Sequence, residues 1–290
     1  MRASHLRPPA AGQAGMTGPA GPAPVRLARV TLSPWLWMAG GALLFFLVPF
    51  VGTDLLGLQP DLYYLAYATI AVPWFGSFVA VNRAQLCDLW RLNLTSSLVV
   101  GSVAGIGVAA IVFSSEGTDH PDGWQWWFEI GWRGLVYGGV DALILFIFPA
   151  AVGYLLMRGN RAGARRKLGY AGLVVVLSLV MSAGYHLGYP EYRDADMRSP
   201  LIGTVMADSA AVFTGNPVGA FVTHGTAHVS AVVHQNEGGP TQMLPPKETA
   251  DYPGHGDSDV AAGLAGMWLL AMVGALTVTM RRHRQAHSAT

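Results

Sequence analysis

The stretch WRGLVYGGVDALILFIFPAAVGYLLM, residues 132–157, decides what kind of chain this is. Its only charged side chains are Arg133 and Asp141. A helix needs about 20 predominantly apolar residues to cross the hydrocarbon core of a bilayer, and this stretch supplies them. Comparable apolar runs occur at about 34–52, 62–81, 96–114, 168–187 and 260–280. Between the last two lie a shorter run at 200–213 and a fuller one at 217–234, separated by Thr214-Gly215-Asn216-Pro217. Read as two further helices, the first short or partly re-entrant, they bring the count to about eight. A six-span arrangement, with 200–234 as one re-entrant hairpin, is the alternative. The expected fold is all-α, a polytopic transmembrane helix bundle.

Composition points the same way. Of 290 residues, 52% are hydrophobic and 12% charged, and the mean hydropathy is +0.37. Soluble domains carry about 25% charged residues. The basic residues sit in short loops between apolar spans, which argues against nucleic-acid binding and leaves the lipid bilayer as the partner. The single Cys87 excludes an intrachain disulfide and a cysteine metal cluster, so any metal would have to use histidine and carboxylate.

The net charge of +1 conceals a strong asymmetry. With eight spans, one side receives the N-terminus, the loop holding Arg83 and Arg91, the 158–167 loop and the C-terminal tail, together fourteen of the eighteen Lys and Arg residues. The other side receives Arg193, Arg198 and Lys247, with fourteen of the seventeen acids. By the positive-inside rule both termini are expected to be cytoplasmic, in a cell membrane. Residues 1–30, rich in Ala, Pro and Gly, are expected to be a disordered cytoplasmic segment. A transmembrane domain at 31–283 and a cytoplasmic tail at 284–290 follow. Trp35 and Trp37, and Trp124, Trp126, Trp127 and Trp132, are expected to mark the interfaces.

Against this background, ionisable groups inside apolar spans stand out, because each is costly unless paired or ligated. Glu129 and Arg133 open the fourth span, His186 closes the fifth, and His224 and His228 lie within the seventh. The spacings of four put Glu129 with Arg133, and His224 with His228, on shared helical faces. The topology brings all five to the outer half of the membrane. Two imidazoles one turn apart can bind one Zn²⁺, with a third His and a carboxylate or water completing a tetrahedral shell. Arg133 can hold Glu129 ionised as a general base or stabilise an oxyanion. Tyr137 and Asp141 continue the Glu129–Arg133 stripe, and Asp141 needs a partner, a hydroxyl or an Arg from another span.

Three short motifs resemble those of the CPBP intramembrane metalloproteases, the CAAX-protease and bacteriocin-processing group. Phe128-Glu129-Ile130-Gly131-Trp132-Arg133-Gly134 resembles the family's Glu-Glu-x-x-x-Arg motif. Ser182-Ala183-Gly184-Tyr185-His186-Leu187 resembles the second, which ends in His. Asn216-Pro217 through His224-x-x-x-His228 resembles the third, His-x-x-x-Asn or a variant. The likeness covers about 125–235 and implies a peptide hydrolase acting on a peptide or membrane-protein substrate. It implies an acid/base unit of Glu129 and Arg133, with His186 and His224 as metal ligands or oxyanion-stabilising groups and His228 as an added ligand. The family's first glutamate falls on Phe128 here, and its final asparagine on His228. Two other classes compete: a transporter or metal-handling protein using the same cluster, and a structural or assembly protein.

Overall fold

The computed structural model describes residues 32–193, 197–235 and 243–246, with scattered positions between 263 and 274. All belong to the unit Leu32–Thr290. The N-terminal segment 1–30, the tail 284–290 and most of the 235–259 loop lie outside the described residues, as does most of the 260–280 span.

The described chain is helical and contains no strand. Five helices are long and apolar enough to cross a membrane: α1 Pro34–Leu55, α2 Pro60–Arg91, α3 Leu94–Phe113, α4 Trp124–Leu156 and α5 Ala164–Leu187. Prolines at the first positions of α1 and α2 have no N–H to leave unpaired, and the Ser33 side chain accepts from the Leu36 amide to cap α1. A short turn of helix, α6 Pro190–Arg193, follows α5. The apolar run at 200–213 is broken rather than continuous. It forms α7 Arg198–Ala207 and α8 Ser209–Thr214, with Asp208 at the break. Gly215 then takes a left-handed conformation (φ 75°), and a 3₁₀ turn at Pro217–Gly219 leads into α9 Ala220–His234. α7, α8 and α9 are each shorter than a spanning helix.

Burial identifies α4 as the central helix, enclosed along most of its length, while the other four long helices expose most of theirs. The exposed faces are apolar: Val99, Val103 and Ile106 on α3, and Leu168, Val176 and Val180 on α5. That is the pattern of a bundle whose outer solvent is lipid. The tryptophans divide. Trp35, Trp124 and Trp127 are exposed as an interfacial belt requires, but Trp37 and Trp132 are buried. Trp35 and Trp37 are two positions apart and so point to nearly opposite sides of one helix. Trp37 packs edge-on against Trp74 and Phe78 of α2 instead.

Small residues set how closely the helices meet. Gly101 of α3 faces the backbone of Gly219, and Gly105 faces Thr226 of α9. Gly134 and Gly138 of α4 lie against Val229 and His228 of α9, where a Cβ on Gly138 would come within 2.8 Å of the His228 Cβ. Such contacts let backbones approach where side chains would hold them apart.

Candidate metal centre

α4 positions the site through two changes of winding. Ile130–Tyr137 and Leu143–Ile147 are π-helical, flanking the α-helical turn Gly138–Ala142. In a regular α-helix each step of four residues rotates the side chain by about 40°, so Glu129, Arg133, Tyr137 and Asp141 would fan out. A wider turn winds the stripe back, and π segments occur often at functional sites. All four side chains are buried.

At the end of the bundle where α2 and α4 begin, Arg133 forms two bonds to Asp61. Its Nε donates to Oδ1 at 2.9 Å and its Nη2 to Oδ2 at 2.8 Å. This is the parallel fork geometry that guanidinium and carboxylate share. Glu129 lies on the other side of the guanidinium, 3.4 Å from Nη1. The expected Glu129–Arg133 pair is therefore the smaller half of a triad, and Asp61 is the residue that sequence reading missed. Its one signal was an acid directly after Pro60 at the start of an apolar run.

About two helical turns further along α4, Asp141 meets α9. Its Oδ2 is 3.1 Å from His224 Nε2 and 3.7 Å from His228 Nε2, and the two nitrogens are 3.0 Å apart. One atom from each of the three residues can therefore face a common point. Tetrahedral zinc with bonds of about 2.0–2.2 Å separates its ligand atoms by about 3.3 Å, and the three measured edges bracket that value. The outer contacts also suit ligation. Tyr67 of α2 donates to Asp141 Oδ1 at 2.8 Å, leaving Oδ2 for the shared point. The Arg133 carbonyl lies 3.4 Å from His228 Nδ1, favouring the tautomer with Nε2 unprotonated. The hydroxyl expected for Asp141 is thus Tyr67's. The donor set, one carboxylate and two imidazoles, can hold a divalent ion.

Arg133 consequently serves two groups, its guanidinium binding Asp61 and Glu129 while its carbonyl touches His228. His186, expected among the ligands, is not part of the Asp141–His224–His228 group. Its Nδ1 lies 2.8 Å from the Ser182 carbonyl, and its ring packs edge-on against Tyr192.

Between the two polar clusters lies a wall of tyrosines: Tyr63, Tyr64 and Tyr67 of α2, Tyr137 of α4, Tyr185 of α5 and Tyr189 beyond it, all fully buried. Tyr63 bonds Tyr189 at 2.7 Å, Tyr189 bonds Tyr185 at 2.6 Å, and Tyr185 bonds Tyr137. Tyr64 stacks on Tyr137 and donates to the Pro245 carbonyl. The Tyr137 ring in turn meets His228 edge-on. Burial pushes the Tyr189 and Tyr192 phenols, which lie past the end of α5, above the usual tyrosine range, so both stay protonated. No family model, curated protein or solved structure matches this chain.

Proposed function

We propose that the chain is a multi-pass membrane protein of about eight spans with both termini cytoplasmic, and that it is a divergent CPBP-type intramembrane metalloprotease. Asp141, His224 and His228 would hold its ion, zinc by the donor set. The observation that carries this reading is the match between the three ligand–ligand distances and one face of a zinc tetrahedron. A bound zinc ion supplies Lewis-acid polarisation of a substrate carbonyl.

The chain's own groups then have separable tasks. Tyr67 orients Asp141 and the Arg133 carbonyl sets the His228 tautomer, while Glu129 and Arg133 form a separate buried cluster with Asp61, about two turns back along α4. The substrate is a peptide or a membrane-protein segment that enters from the bilayer. A non-proteolytic role, in metal handling or in holding the helices together, is the second reading. It is favoured because three of the polar contacts tie helices together: Asp61 with Arg133 and Tyr67 with Asp141 join α2 to α4, and Asp141 with His224 joins α4 to α9.

Metal analysis of the purified protein beside Asp141→Asn and the His224→Ala/His228→Ala double variant tests the site. The wild type is expected to hold one equivalent of zinc and both variants almost none. Cleavage of membrane peptides in proteoliposomes tests the reaction. Zinc without cleavage would move the protein to the second reading, whereas a metal-free wild type would sink both metal-dependent roles.

A further inference from the structure

Four acids are buried among the described residues; Glu129 lies beside the Arg133 guanidinium, and two others have strong partners. Asp61 receives two N–H donors from Arg133, and Asp141 receives Tyr67 and faces two histidines. Asp208, 1% exposed, has neither. Its Oδ1 accepts one hydrogen bond, from Ser178 Oγ of α5 at 3.0 Å, and its Oδ2 has no hydrogen-bond partner among the described residues.

An ionised carboxylate offers about four acceptor sites, so a single serine leaves most of its charge unsolvated. Among the described residues no cation forms an ion pair with Asp208. α3, packed on α8, carries no titratable side chain. α5 brings Tyr170, whose hydroxyl donates to the Ala150 carbonyl and whose ring lies beneath the Arg161 guanidinium, with His186 at its far end. Of the α9 histidines, His224 and His228 are engaged with Asp141 and His234 with the Ser115 carbonyl.

The helix break falls at Asp208 itself, and the contacts around it repeat. Ser178 and Ser182 are one turn apart on α5, as Thr204 of α7 and Asp208 just past its end are, so two rungs stack between the helices. In the first Ser178 donates to Asp208; in the second Thr204 Oγ1 donates to Ser182 Oγ at 2.8 Å. Above them Ser182 Oγ lies 3.3 Å from the half-buried His186 ring.

We propose that Asp208 is a proton-binding site, its carboxyl holding a proton while this helix seam is closed and exchanging it through the Ser178 hydroxyl. In the exchange one proton leaves the carboxyl while the hydroxyl accepts one and passes one on. The carboxylate keeps the electron pair. The site is independent of the metal reading, since none of its groups is a ligand.

Infrared spectroscopy of the purified full chain tests it. At neutral pH the wild type should show the carbonyl stretch of a protonated carboxylic acid, shifted by ¹³C-aspartate labelling and lost in Asp208→Asn without a fall in Tm. Transfer to D₂O should shift the band, and Ser178→Ala should slow that shift severalfold. Should Asp208→Asn not fold, Ser178→Ala decides, because removing the one hydrogen bond must move the band to higher frequency. Absence of the band, or a band indifferent to these variants, overturns the proposal. So does a rise of wild-type Tm with sodium or lithium at constant ionic strength that Asp208→Asn abolishes, because the group would then hold a metal cation and not a proton.

Discussion

Arg133 is the residue on which the two polar clusters depend. A guanidinium buried in a helix bundle loses its hydration, and the bidentate carboxylate of Asp61 offsets that loss only while both partners are present. Arg133→Gln is therefore expected to destabilise the protein by about 3–5 kcal/mol, since it leaves Asp61 charged and buried. Adding Asp61→Asn should recover part of the loss. Denaturant titration of the single and double variants in detergent measures this, and a wild-type melting curve for Arg133→Gln would show that the pair holds nothing. Lysine is a poor substitute here, because a point charge cannot make the paired contact. The Glu129–Arg133 contact was legible from a spacing of four. Asp61 was not, because it lies 72 positions away along the chain and nothing in the local pattern of α2 points across to α4.

At the scale of elements, the meeting of α4 with α9 makes the candidate centre. His224 and His228 share a face by spacing alone, yet only the missing side chains of Gly134 and Gly138 let that face reach Asp141. Gly138→Ala places a Cβ within 2.8 Å of the His228 Cβ, an overpacking that costs about 1–3 kcal/mol and should lower bound metal along with stability. Gly139→Ala is its control, since its Cβ would sit 3.7 Å from Phe221 in ordinary contact. Equal effects of the two substitutions, read as Tm and zinc content, would remove helix proximity as the cause. The π turns of α4 were not legible either. Nothing in the apolar pattern of 132–157 distinguishes a π turn from an α turn, because the choice is made by what the neighbouring helices press against it.

Taken as a whole molecule, the charge asymmetry along the chain is a statement about orientation. With Cys87→Ser as background, Asn160→Cys in the basic loop should resist a membrane-impermeant maleimide in intact cells, while Asp119→Cys should react. The reverse pattern would invert the proposed topology. By itself the sequence determined that the chain is helical and built for a bilayer, since apolar length and charge placement are one-dimensional properties that lipid and water read directly. It also determined which groups were anomalous there: Glu129, Arg133, Asp141, His186 and the paired histidines. Only the tertiary structure decided who partners whom. It joined Asp141 to His224 and His228, gave Arg133 to Asp61, left His186 on Ser182, and broke the 200–213 run at Asp208. Partnership in a bundle depends on helix rotation, winding and distance of approach, which are settled by packing between segments far apart in the chain.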